Sequence, residues 1–108
     1  MMNFPNDETG QVLAEMQQAG IDLTTSHQVV FFHLFEQKAQ AEAMANFIKQ
    51  NHPQITSNLH ADETPNVWDL DCSMLMLPTH ENIVKQEADF EQMAASFSGY
   101  NDGWGIEA

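Results

Sequence analysis

The chain contains no arginine, and its three lysines, Lys38, Lys49 and Lys85, stand against sixteen Asp and Glu for a net charge of -13. Affinity for nucleic acid comes largely from Lys and Arg displacing counterions around phosphates, so direct binding of RNA or DNA is disfavoured. A basic partner is favoured instead, although the same charge also serves plain solubility. Cysteine is nearly absent too: the lone Cys72 excludes an internal disulfide and a CxxC metal or redox pair. No apolar run approaches the ~20 residues that cross a bilayer. Met1 to Glu8 lacks the basic and apolar regions of a signal peptide, which leads us to expect a cytoplasmic protein with no membrane partner. Internal repeats and low-complexity blocks are missing as well.

What is present fits one domain, since 108 residues lie near the commonest domain size and suffice for one core. Residues 1–8 are polar and aperiodic and are expected to be loose, with a single α+β domain over 9–108. A short helix is expected from Thr9, carried by Val12, Leu13 and Met16 and ended by Gly20. Val29 to Phe35 is β-branched and aromatic and apolar at both parities, as in a strand covered on both faces. Glu36 to Gln50 carries Ala39, Ala43, Met44, Phe47 and Ile48 at helical spacing, with Asn51-His52-Pro53 as its stop.

A one-sided strand follows, with Ile55, Ser57 and Leu59 alternating against Thr56, Asn58 and His60, and then a polar turn over 61–66. Val67 to Leu77 alternates most cleanly: Trp68, Leu70, Cys72, Met74 and Met76 share one face, and Asp69, Asp71 and Ser73 the other. Pro78-Thr79 opens a last helix with Thr79 as N-cap, a stripe of Ile83, Val84, Phe90, Met93, Ala94 and Phe97, and Glu81 and Lys85 spaced to pair across one turn. The order predicts a two-layer α/β sandwich with a β-α-β-β-α core, a ferredoxin-like relative lacking the last strand, preceded by a short N-terminal helix. Something must then cover the second face of Val29–Phe35: the N-terminal helix, the C-terminal tail, or a second subunit. A monomer is slightly preferred.

Reactive chemistry finds little footing. Five histidines, His27, His33, His52, His60 and His80, show none of the HExxH or HxH spacings that preform a zinc site, so no metal and no cofactor is expected. Asp69 and Asp71 could work as an acid–base pair only in a cleft that separates their pKa values, and strand alternation points them outward. There they can meet a partner's arginines, which bind carboxylates bidentately. Cys72 falls on the apolar face, where a thiol is inert. No nucleophile elbow or phosphate-binding loop is present, and no catalytic residue is assigned.

The end of the chain, Gly99-Tyr100-Asn101-Asp102-Gly103-Trp104-Gly105, sets two large aromatics and an Asn-Asp pair among glycines, which predicts a tail docked on the body. Tyr100 and Trp104 serve either to close over the sheet or as aromatic anchors beside acidic residues, the composition of interface hot spots. With the Gly20-Ile21-Asp22-Leu23 turn, the strand from Val29, Trp68, and the Met76-Leu77-Pro78-Thr79 helix entry, this tail resembles the bacterial regulator of ribonuclease E activity B family.

The resemblance implies a non-enzymatic inhibitor that binds the basic, arginine-rich scaffold region of the endoribonuclease RNase E and changes which transcripts are cut. Family members often carry an acidic N-terminal stretch, which here is reduced to Asp7 and Glu8. An acidic domain can be steered to a basic disordered segment and compete there with RNA. Asp69, Asp71, Tyr100, Asp102 and Trp104 are the candidate partner-binding residues. Two rivals share parts of the pattern: an acidic nucleic-acid mimic that inhibits a different basic protein, and a metal-binding protein or enzyme in which His33, Asp69 and Asp71 converge.

Overall fold

The computed structural model describes residues 4–107, so Met1 to Asn3 of the stretch expected to be loose, and Ala108, lie outside the described residues. The order is α1 (Glu8–Gln18), β1 (His27–Phe35), α2 (Lys38–Asn51), β2 (Thr56–Ala61), β3 (Trp68–Met76), α3 (His80–Ser96) and β4 (Tyr100–Ile106). Three helices and a four-stranded antiparallel sheet, ordered β2-β3-β1-β4, make a two-layer α/β sandwich.

The helices begin where local chemistry allows. Asp7 caps α1 by accepting the Gly10 N–H at 2.7 Å, so the helix starts at Glu8, one residue before the expected Thr9. Thr79 caps α3 by accepting the Asn82 N–H at 3.1 Å. At the far end of α3, Ser98 takes the left-handed conformation and the Gly99 N–H reaches back to the Ala94 carbonyl at 2.7 Å. Gly99 is required there, since a Cβ would overlap the Phe35 ring.

The expected absence of a last strand is corrected. The tail is β4, pairing antiparallel with β1 along its free edge, which completes a β-α-β-β-α-β unit. Asn101, Asp102, Gly103 and Gly105 are poor strand formers, which hid the element. The pairing jumps from Phe31–Trp104 to His33–Asn101, so Asp102 and Gly103 bulge opposite Phe32, and Gly103 supplies the φ of +97° that the bulge uses.

The core lies between the sheet and α2 and α3. Phe31, Phe35, Leu70, Cys72, Met44, Ile48, Ile83 and Phe90 are buried, with Phe31 and Phe90 rings 5.1 Å apart. Two expected stripes are rotated: α2 buries Ala41, Met44 and Ile48 and exposes Ala39 and Ala43, and Val84 on α3 is exposed. Among the described residues Glu81 and Lys85 form no ion pair. α1 packs beside α3 in the helix layer, and β4 lies within the sheet, so neither covers the sheet's second face.

Candidate functional site: the open face of the sheet

Register fixes what the uncovered face presents. Pairing of β2 with β3, β3 with β1 and β1 with β4 lines up His60, Asp69, Leu34 and Tyr100 in one row. Asn58, Asp71 and Phe32 make the next row, and Thr56, Ser73, Val30 and Gly105 a third. Val30, Phe32 and Leu34 thus form an apolar stripe down the middle strand, with Val30 buried and Phe32 and Leu34 half-buried, and the Phe32 ring and Val30 side chain lie close to Gly105, which has no side chain of its own. Tyr100 extends the stripe to the edge and is 56% exposed.

Carboxylates rim this stripe. His60 on β2 reaches across to Asp71, Nε2 to Oδ2 at 3.0 Å, and lies 3.7 Å from Asp69. At one end the Ser73 hydroxyl donates to Glu107 at 3.2 Å, and at the other the Tyr100 hydroxyl donates to Glu36 at 3.4 Å. All three lysines sit on helices, so no strand contributes one.

The acidic groups are not alike. Burial, then a hydrogen bond with Asp62 and that carboxylate's charge, push the Asp69 carboxyl up to about 6. Asp62 is held down by the Thr64 N–H at 2.9 Å and by Asp69, so it stays ionised. The hydrogen bond to Asp71 raises His60 above the ordinary histidine range. The outer face therefore becomes less negative as pH falls through 6.

The five sequence candidates part company here. Asp69 and Asp71 point outward on β3, partly buried with side chains 17% and 22% exposed, and Tyr100 shares their face. Asp102 is exposed in the bulge. Trp104 pairs with Phe31 and packs on the helix side. His60, Asp62, Glu36 and Glu107 were missed; only pairing across strands, which spacing along the chain cannot reveal, brings them to the site.

His33 lies on the opposite face from Asp69 and Asp71, buried against Phe90 with its Nδ1 3.3 Å from the Leu70 carbonyl. Burial lowers its pKa, which suits a neutral ring donating to that carbonyl. Cys72 is buried and its thiol is pushed up to about 12, a protonated and unreactive state. Among the described residues no group of three or more His, Cys, Asp or Glu is arranged to hold a metal ion, and no helix is long and apolar enough to cross a membrane.

A family model described as regulator of ribonuclease activity B matches residues 6–106. The chain belongs to that family. The match runs from the α1 cap through β4, so the tail strand that completes the sheet lies inside the family's domain. The family is one of ribonuclease regulators rather than of catalysts, and membership implies a ribonuclease partner. A comparison with curated proteins finds no match.

Proposed function

We propose that this family member is a non-catalytic, cytoplasmic inhibitor of the endoribonuclease RNase E that binds the enzyme's basic, arginine-rich scaffold region and so redirects RNA decay. The observation that supports it is the uncovered sheet face, where an apolar stripe of Val30, Phe32, Leu34 and Tyr100 runs between Asp69 and Asp71 on one side and Glu36 and Glu107 at its ends. Such a surface offers carboxylates to guanidinium forks and a hydrophobic floor to the stems that carry them. Occupied arginines are then lost to RNA, without any covalent step. With a net charge of -13 and no arginine, the protein does not compete by binding RNA itself.

Capture with immobilised scaffold segment, in the presence and absence of a structured RNA that binds the segment, tests this. The segment retains the protein, RNA displaces it in proportion to its own occupancy, and the catalytic region of the enzyme alone retains none. Retention on an unrelated basic protein with none on the scaffold segment would instead identify a nucleic-acid mimic for another target.

A further inference from the structure

On the helix side, away from the open face, α1, α3 and β4 enclose a cleft of about 300 Å³ lined by Glu8, Thr9 and Val12 from α1, Glu87 from α3, and Asn101 and Trp104 from β4. We propose that this cleft is a socket for a single arginine side chain of a basic partner chain, the guanidinium stacking on Trp104 and donating to Glu8 and Glu87. The inference rests on the reading above that the partner is basic, and it adds a second contact point on the opposite layer of the molecule.

Three observations carry it. First, the cleft combines an indole with two carboxylates, and a guanidinium satisfies both at once: it is planar, weakly hydrated and forked, so it stacks on an aromatic face while its edge donates. Secondly, the neighbouring acidic group is already engaged. Asp7 caps the α1 N-terminus through Gly10 and lies 2.8 Å from His80 Nε2, whereas among the described residues Glu8 and Glu87 have no ion-pair partner.

Thirdly, among the described residues no lysine forms an ion pair with Glu8 or Glu87. Lys38 lies 5.2 Å over the ring centroid of the other tryptophan, Trp68, so this fold already uses a cation on an indole once. Lys85 is two residues from Glu87 on α3, a spacing that turns the side chains away from each other. The sequence contains no arginine, so a second copy cannot supply the guanidinium and the donor must be a different chain.

The test follows the Trp104 indole N–H resonance, distinguished from Trp68 by the Trp68→Phe variant, during titration with tetra-arginine and with tetra-lysine at low salt. Tetra-arginine shifts the resonance saturably and binds at least fivefold more tightly than tetra-lysine. Glu8→Gln/Glu87→Gln weakens that response tenfold or more, whereas Glu42→Gln/Glu63→Gln, which removes the same charge from exposed positions outside both surfaces, leaves it within twofold. An unmoved Trp104 resonance, equal affinity for the two peptides, or an indifferent Glu8→Gln/Glu87→Gln variant overturns the socket. If the scaffold segment binds without moving Trp104, the socket fails and the proposed function stands. If tetra-arginine behaves as stated and the segment does not bind, the socket stands and the proposed partner fails.

Discussion

Asp69 is the residue whose environment departs furthest from its sequence reading. Alternation along β3 places it outward, yet it is partly buried and hydrogen-bonded to the Asp62 carboxylate, which raises its folded-state value from 3.8 to about 6. A carboxyl that binds its proton more tightly when folded stabilises the fold fully below pH ~4, and that contribution disappears as pH rises through 6. At neutral pH the ionised side chain therefore costs stability. Asp69→Asn, which mimics the protonated form, is expected to melt above wild type at pH 7.5 by on the order of 1 kcal/mol after allowing for solvent screening. The two should converge near pH 4. Thermal unfolding followed by circular dichroism at both pH values checks this, and a gap that stays constant with pH would mean that Asp69 is not held by Asp62.

Among the elements, β4 joins fold and function, since it makes β1 a central strand and carries Tyr100 to one face and Trp104 to the other. Its bulge depends on Gly103 at φ +97°, where a Cβ would meet no neighbour within 4 Å, so any penalty for a side chain is a backbone penalty. Gly103→Val should lower stability by about 1–2 kcal/mol and Gly103→Asn by less, read from urea midpoints. Equal midpoints for all three would contradict the strained bulge.

The same element marks where sequence stops being informative. β3 was legible because Leu70 and Cys72 alternate with Asp69 and Asp71, a period that only a half-buried strand explains. β1 was legible from its run of Val and Phe, and α3 from Pro78-Thr79. β4 was not, because glycine and Asn-Asp speak against a strand locally, and pairing to β1 overrides them. The face of α2 was misjudged because its alanines carry little signal: Ala41 is buried while Ala39 and Ala43 are exposed. The carboxylate rim could be half seen, as Asp69 and Asp71 share a strand, whereas His60, Glu36 and Glu107 join them only through cross-strand register.

At the scale of the whole molecule negative charge lies on both layers: Glu8, Glu15, Glu42, Glu81, Glu87, Asp89 and Glu91 share the helices with the three lysines, whereas the open sheet face holds carboxylates around an apolar centre and no strand carries a lysine. The proposed function places the basic chain on that lysine-free face. This makes binding sensitive to pH. Between pH 7.5 and 5.5 Asp69, pushed up to about 6, gains a proton, which removes negative charge from the face beside a His60 whose pKa the Asp71 hydrogen bond raises. Affinity for the RNase E scaffold segment should drop several-fold over that interval by calorimetric titration, with Asp69→Asn showing a smaller drop than wild type. A pH-independent affinity would place the contact elsewhere.

The most direct measurement of the central claim is the affinity of the purified scaffold segment for wild type and for Asp69→Asn/Asp71→Asn at 0.1 M and 1 M salt, where the Debye length shrinks from ~10 Å to ~3 Å. Wild type should lose at least tenfold in affinity across that range, and the double variant should bind more weakly at low salt with a shallower dependence. Affinity that is flat in salt, or a double variant indistinguishable from wild type, would contradict the account.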